Sequence, residues 1–446
     1  MKIAVVGAGY VGLVSGACLA DFGYEVTLVD HDLGRIAALE AGDIPIYEAG
    51  LEAMLLANRR LGRLRFTSNL APAVAAADVI MIAVSTPARR GDDAADLAYV
   101  HKATSEIAAA LSGYTVVVTK STVPVGTARK LKAELRALRP DVDFDMASNP
   151  EFLREGSAVD DFRRPDRIIV GTDSHRASDV MRQLYRPITA NDVPILFTDL
   201  ESAEVIKYAA NGYLAMRLAY VNELADLCER VGADIAVVTG GMGHDRRIGH
   251  HYLHPGPGFG GSCFSKDTRA LAATSRDAGT RFSLIEAVVT ANDRRKRDLV
   301  ARVLAAAGGT VAGKHIAVLG IAFKAETDDI RDSAALILLP ALGERGAVVT
   351  AYDPALGNRG THGLAGIRWC EDAYAAASGA HALVILTEWN EFRGLDLARL
   401  AGLMREPVMI DLRNLYSPID IARSPFIYHS LGRIPIEPET AVEPVK

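Results

Sequence analysis

KIAVVGAGYVGLVSGACLADFGYEVTLVD, residues 2–30, decides the fold. Ile3 to Val6 is a short apolar run that stops at Gly7, and further glycines stand at 9 and 12. Val11 to Phe22 carries apolar residues at helical spacing and is closed by Gly23; Glu25 to Val29 reads as a second strand ending at Asp30. Strand, glycine turn, helix and strand within about thirty residues, with an acid about twenty residues beyond the glycines, is the arrangement that binds a dinucleotide. Gly7 permits the turn, Gly9 lets a pyrophosphate approach the backbone, and Gly12 lets helix and sheet pack closely. The helix N-terminus then faces the phosphates. An acid rather than a base at position 30 favours the free ribose hydroxyls of NAD over NADP, with Arg35 close enough to weigh against that preference.

Working outward, Asp78 to Val84 reads as a buried strand leading into Ser85, Thr86 and Pro87, and Thr115 to Thr119 as another leading into KSTVPVGT (residues 120–127). Both place hydroxyls at the carboxyl ends of strands, where open α/β sheets bind ligands. For Thr122, ordinary turn chemistry is an equal alternative. Phe144 to Ala147 leads into SNPEFLREG (residues 148–156), where Glu151 and Glu155 would share a face if the segment were helical. Acids near a helix start often do no more than complement its dipole.

Glu201 to Val231 has apolar residues at helical spacing and no proline, so one long helix is expected, joining two domains and offering an apolar face for a dimer contact. Lys207 and Asn211, four apart, lie on one side of it, placed to present an ammonium and an amide to one oxygen atom. From Lys314 the first domain's outline returns: HIAVLG matches KIAVVG, ERGAVVTAYDP matches DFGYEVTLVD, and AHALVILTEW matches AADVIMIAVST, while GIAFKAETDD replaces the glycine turn. Lys324 and Arg331 are the candidate cations for a diphosphate there, with an ordinary surface charge the alternative for either. The expectation is an α/β chain of two Rossmann-like, doubly wound parallel-sheet domains joined by a long central helix. Residues 1–198 would form the dinucleotide domain, 199–298 a central helical region, 312–433 the second sheet, and 434–446 an unpacked tail.

PGPGFGGSCFSKD, residues 255–267, is where chemistry is expected. Six of the eight residues before Cys263 are Gly or Pro, so no helix or strand runs through and another molecule can approach the backbone. Cys18 and Cys228 sit in helix-like patterns as small apolar residues, and Cys370 lies near a strand end; only Cys263 has glycines before it and Lys266 and Asp267 after it. A nearby cation favours the thiolate. Four scattered cysteines without a CxxC pair exclude a disulfide framework or thiolate zinc site. His250 and His254, four apart near a thiol, suggest a metal, but the chain between them runs into Pro255, and no metal is expected. A net charge of −6 with interspersed signs points away from nucleic acid and anionic membranes. The chain opens straight into a strand and has no apolar run of membrane length, so a cytoplasmic protein is expected.

GAGYVG, STVPVGT, NPEFLREG, AEVIKYAANGYLA, PGPGFGGSCFSKD and GIAFKAETDDIRDSAA, in this order, resemble the UDP-glucose 6-dehydrogenase family of nucleotide-sugar dehydrogenases over nearly the whole chain. The resemblance implies two NAD-dependent oxidations of a sugar's primary alcohol to an acid, with Cys263 as nucleophile. It implies that Lys207 and Asn211 steady the oxyanion, Asp267 and Thr122 assist proton transfer through water, and Glu151 activates the water that hydrolyses a thioester. It places Gly7, Gly9, Tyr10, Val11, Gly12, Asp30, Arg35, Thr86, Thr122, Glu155, Lys266 and Arg331 around NAD. Around the nucleotide sugar, UDP-glucose, it places Glu151, Phe152, Leu153, Arg154, Glu155, Lys207, Asn211, Tyr252, Leu253, His254, Pro255, Gly256, Phe259, Gly260 and Lys324, and it implies a homodimer. Arg35 stands where the family often has Lys, and Ser265 where Pro or Gln is common. GDP-mannose as substrate, a single oxidation of the 3-hydroxyacid type, and a non-catalytic sensor are the competing readings.

Overall fold

A computed structural model describes residues 1–87, 89, 94–357 and 364–438; residues 439–446, most of the expected tail, lie outside the described residues. The chain forms two compact units, Met1–Ala210 with Arg269–Arg281, and Asn211–Thr268 with Phe282–Lys446.

In the first unit, β1 (Lys2–Val6), β2 (Glu25–Val29), β3 (Leu64–Thr67), β4 (Val79–Ile82), β5 (Thr115–Thr119), β6 (Phe144–Ser148), β7 (Ile168–Gly171) and β8 (Ile195–Thr198) form one sheet in the order β3-β2-β1-β4-β5-β6-β7-β8. Every pairing is parallel except β6 with β7. The order reverses between β1 and β4, which creates the crevice where such sheets bind ligands. Sequence alternation explains why the strands are apolar throughout: Ile3 and Val5 enter one buried cluster while Ala4 and Val6 enter the one on the opposite face. The helix Tyr10–Asp21 is buried continuously from Gly12 to Ala20 rather than on one face, because the helices Leu51–Arg60 and Ala158–Arg163 cover it in addition to the sheet.

The three glycines of the first turn divide the work differently from expectation. Gly7 has φ +107°, and a Cβ there would fall 2.6 Å from the Ala83 carbonyl oxygen at the end of β4. A Cβ on Gly12 would lie 1.8 Å from the Gly7 carbonyl oxygen, so this glycine closes the turn upon itself before it serves helix and sheet packing. Gly9 faces nothing within 4 Å.

In the second unit, β9 (His315–Leu319), β10 (Val348–Tyr352), β11 (Arg368–Trp369), β12 (Ala382–Ile385), β13 (Val408–Asp411) and β14 (Ile427–His429) repeat that order as β11-β10-β9-β12-β13-β14, all parallel. Gly320, with φ +87°, repeats the role of Gly7: its Cβ would meet Thr387 at 2.3 Å. The following helix is displaced, however, and begins only at Ala335 (Ala335–Glu344). Ile436 pairs with Tyr428 through two backbone hydrogen bonds of 2.9 Å, so the first residues of the expected tail are packed.

Leu200–Val231 is a single helix of 32 residues, about 48 Å long, with Leu200–Ala210 in the first unit and the remainder in the second. Its buried Glu204 caps the helix Thr127–Leu138 by accepting from Gly126 N–H at 2.6 Å and Ala128 N–H at 2.8 Å. Among the described residues, no helix is long and apolar enough to cross a membrane.

Two expectations follow from these packing facts. Gly9→Ala should leave the melting temperature within about 1 °C and weaken dinucleotide binding, whereas Gly12→Ala should lower stability by several kcal/mol, about the size of overpacking; comparable losses of stability in both variants would refute the division of roles. Burial pushes the Glu204 carboxyl up to about 7 despite the two N–H donors. A carboxyl raised in the folded state adds stability that is complete below its ordinary value of 4.5 and is lost as pH climbs through about 7. Between pH 5 and 8 the melting temperature of Glu204→Gln should therefore gain steadily on that of the unsubstituted protein.

Candidate active site

At the end of β1 the first intrahelical bond runs from Leu13 N–H to the Gly9 carbonyl at 2.9 Å. That leaves the N–H groups of Tyr10, Val11 and Gly12 ahead of the helical ladder, the position from which helix ends hold anions. Asp30, at the end of β2, accepts from Ala8 N–H at 2.8 Å, Asp32 N–H at 3.0 Å and the Arg35 guanidinium at 3.0 Å. Burial opposes its ionisation, but the Asp32 and Ala8 N–H groups and Arg35 outweigh it and hold the carboxyl below its ordinary value. Arg35 is thus bound to the acid whose preference it seemed to oppose. At the ends of β4 and β5 the two predicted hydroxyl residues meet: Thr86 Oγ1 donates to the Thr122 carbonyl at 2.9 Å. Open space at Gly9, unused N–H groups and an ionised Asp30 fit the pyrophosphate and ribose of a dinucleotide.

Tyr10 has a second connection that sequence reading missed. Its hydroxyl donates to the buried Glu48, which also accepts from Gly156 N–H at 2.7 Å and Ala158 N–H at 2.8 Å. The glycine turn is thereby tied to the segment after β6.

That segment is not helical over residues 151–154, so Glu151 and Glu155 do not share a helix face; the next helix starts at Ala158. Pro150 precedes Glu151, whose carboxylate instead bends back to accept from Leu153 N–H at 2.6 Å. Neither acid is exposed. Glu151 is buried and receives the Lys207 ammonium at 3.1 Å, with Lys207 itself 5.2 Å from the centre of the Phe152 ring. Burial works to raise the Glu151 carboxyl, but the charge of Lys207, the Leu153 N–H and the charge of Lys120 bring it below its ordinary value. Arg154 points outward to Asp161 at 2.6 Å, and Glu155 is buried.

Lys120, the first residue of KSTVPVGT, also escaped sequence reading although it directly follows an apolar strand. It is buried and donates to Asn149 Oδ1 at 3.0 Å and Tyr185 Oη at 3.3 Å.

In the second unit, Cys263 is half-buried and its carbonyl accepts the Asp267 N–H at 2.8 Å, the first bond of the helix Phe264–Asp277. The thiol therefore stands at a helix N-terminus, where the aligned peptide dipoles favour a thiolate. Burial pushes the Cys18 thiol, by contrast, up to about 12. Asp267 is almost wholly buried; Lys266 donates to Oδ1 at 2.6 Å and Asn211 to Oδ2 at 2.7 Å. Lys266 is thus paired with its neighbouring acid, and Asn211 and Lys207 each donate to a carboxylate, of Asp267 and Glu151 respectively.

The glycine loop owes its composition to its own surroundings. A Cβ on Gly260 would lie 2.5 Å from the Asp332 carbonyl oxygen and one on Gly261 2.6 Å from the Phe323 ring. Asn292 clamps Phe259 at both backbone groups, 2.8 Å from its N–H and 3.1 Å from its carbonyl. Asn222 accepts from Gly256 N–H at 2.8 Å and Arg295 donates to the Gly256 carbonyl at 3.1 Å. Pro255 and Leu253 are buried, Tyr252 takes φ +59°, and His254 is exposed. Ser265 donates to Asp332, whose other carboxylate oxygen receives the buried Lys296 at 2.9 Å. Arg331 lies along Asp329 at 2.7 Å, and its carbonyl accepts Gly261 N–H at 2.8 Å; Lys324 extends beside Phe323.

Comparison with known proteins gives this geometry a family. Sequence models of the UDP-glucose/GDP-mannose dehydrogenase family match here in three parts, the NAD binding domain over residues 1–189, the central domain over 201–294 and the UDP binding domain over 317–418. The chain is 53% identical to a UDP-glucose 6-dehydrogenase of Rhizobium meliloti over 435 residues, 97% of this chain and all of that one. It is 44% identical to UDP-glucose 6-dehydrogenase TuaD of Bacillus subtilis, covering 97% of this chain and 93% of the relative. A solved UDP-glucose dehydrogenase from Pyrobaculum islandicum superposes with a TM-score of 0.88 at 37% identity, covering 96% of each chain. The chain belongs to the UDP-glucose/GDP-mannose dehydrogenase family and is an NAD-dependent oxidoreductase.

Proposed function

We propose that this protein oxidises the primary alcohol of UDP-glucose to the carboxylate of UDP-glucuronate, with Cys263 as covalent nucleophile and two NAD consumed per sugar. The observation that carries the reading is the half-buried Cys263 thiol at the start of the helix Phe264–Asp277, one turn from the buried Asp267. The 53% identical relative is a UDP-glucose 6-dehydrogenase, which supports the choice of sugar.

Bound NAD supplies the hydride acceptor for each oxidation. The first removes a hydride from the alcohol carbon and a proton from its oxygen, leaving an aldehyde; Asp267 and Thr122 are assigned the proton transfer through water. An aldehyde carbon releases hydride to an acceptor only after a nucleophile has added. The Cys263 thiolate forms a carbon–sulfur bond, the carbonyl pair moves onto oxygen, and loss of the second hydride gives a thioester. Water then attacks the thioester carbon and yields its proton to Glu151, whose ionised state suits a base. The carbon–sulfur bond breaks, the thiolate returns, and the acid leaves. Lys207 and Asn211 donate to the oxyanion of each addition, for which each must loosen its hold on Glu151 or Asp267.

The part of the long helix that belongs to the second unit also presents Tyr213, Tyr220 and Leu227 at seven-residue intervals, 55%, 56% and 53% exposed. We read this stripe as the contact face of a homodimer.

With excess NAD the protein should form two NADH per UDP-glucose and turn over GDP-mannose at least about a hundredfold more slowly, a discrimination of about 3 kcal/mol; one NADH per sugar would overturn the covalent scheme. Cys263→Ser should bind both ligands and form no UDP-glucuronate, while Asn211→Ala should lower kcat about a hundredfold to a thousandfold. Tyr220→Glu should halve the particle mass measured by light scattering, and an unchanged mass would remove the dimer stripe.

A further inference from the structure

Lys120 is a buried cation whose partners are all neutral. Its ammonium lies 3.0 Å from Asn149 Oδ1 and 3.3 Å from Tyr185 Oη, with the Phe162 and Tyr185 ring centres at 5.7 and 5.9 Å. Asn149 is fixed as the acceptor in this group, because its Nδ2 donates to the Ile169 carbonyl at 2.7 Å and Tyr185 Oη donates to its Oδ1. Among the described residues no carboxylate stands within ion-pair reach of Lys120. A buried ammonium without a counter-ion in contact is costly, and a fold that keeps one in a site is a candidate for using it.

The neighbouring charges show the use. Asn149 is two residues before Glu151, so the bonds that fix Asn149 also fix the chain where it leaves β6 for Glu151. Glu151 is held by Lys207 at 3.1 Å, yet the scheme above asks Lys207 to turn toward an oxyanion. If Lys207 were the sole cation near Glu151, turning away would leave a buried, unbalanced carboxylate, and the pair would stay locked. We propose that Lys120 is a positioning residue for Glu151: it anchors the strand end through Asn149 and supplies the second positive charge that keeps Glu151 ionised while Lys207 serves the oxyanion.

The titratable groups around Lys120 are Tyr185, Glu151 and Lys207. Burial pulls the Lys120 ammonium down, Glu151 opposes that and Lys207 adds to it, so that Lys120 titrates at about 8. Below that pH both cations serve Glu151. Above it, Lys207 is bound to Glu151 alone and oxyanion stabilisation falls, giving an alkaline limb to the rate of acid formation.

The proposal rests on Glu151 acting as the base in thioester hydrolysis, and the test separates the two ideas. The pH profile of UDP-glucuronate formation is measured for the unsubstituted protein, Lys120→Met, Tyr185→Phe and Glu151→Gln. Lys120→Met should move the acid limb upward by about one pH unit or more, since an opposite charge is lost beside a carboxylate, and should abolish the limb near pH 8. A purely structural role would lower the rate at every pH and leave the limbs in place, and that result overturns the proposal. Should Lys120→Met not fold, Tyr185→Phe decides: removing a hydroxyl from beside the ammonium should shift the alkaline limb downward, and an unmoved limb overturns the proposal. If Glu151→Gln still forms acid at the normal rate, the base assignment itself is wrong; if it forms none while the Lys120 and Tyr185 variants keep both limbs, the Lys120 proposal alone fails.

Discussion

A carboxylate and an ammonium shut away from water, Glu151 and Lys207 at 3.1 Å, are the contact on which the first unit's chemistry turns. Each charge offsets much of the cost of burying the other: breaking a buried pair by removing one member typically costs about 3 to 5 kcal/mol. The pair joins the loop after β6 to the long helix, two pieces of chain 56 residues apart in sequence. Glu204, one turn earlier on the same helix, reaches the amide end of Thr127–Leu138. The helix is therefore secured by buried carboxyl groups at successive turns, and side chains carried on it inherit a fixed register.

The second unit solves a similar problem with backbone contacts. A loop built from prolines and glycines has little side-chain surface with which to hold itself in place. Asn222, Asn292 and Arg295 hold its peptide groups one by one. Glycine at 260 and 261 then admits the Asp332 carbonyl and the Phe323 ring to contact distance. Rigidity in the residues leading to Cys263 comes from helices whose asparagine side chains and one guanidinium bind the loop's peptide groups, the kind of support that fixes a side chain's position closely.

Much of this was legible in the sequence, and for identifiable reasons. Strands buried on both faces are continuous apolar runs, so β2 and β5 were delimited to the residue, and the glycine spacing fixed the first crossover. The internal repeat announced the second sheet even without its glycines. Long-range pairing was invisible. Nothing local says that Lys207 meets Glu151, that Asn211 meets Asp267, or that Tyr10 meets Glu48. Whether residues 151–155 were helical was left open by the sequence, because four-residue spacing of two acids does not by itself fix backbone shape; the segment is not helical over 151–154. Ser265, which stands where Pro or Gln is common in the family, holds Asp332 through its hydroxyl, a bond that a proline there could not make.

The two sheets share an order and a reversal point, yet their acids have different fates. Asp30 divides its oxygens between amides and a partly exposed guanidinium. Its counterpart Asp353 is sealed by the amides of Ile321, Ala322 and Ala355 and by the Trp389 indole, and residues 321–334 run on without a helix. Restoring glycines to that turn would consequently not turn it back into a dinucleotide cradle. In the second sheet the carboxylate at this position serves as internal scaffolding, and a dinucleotide cradle there would require changes at the acid, the indole and the helix start together.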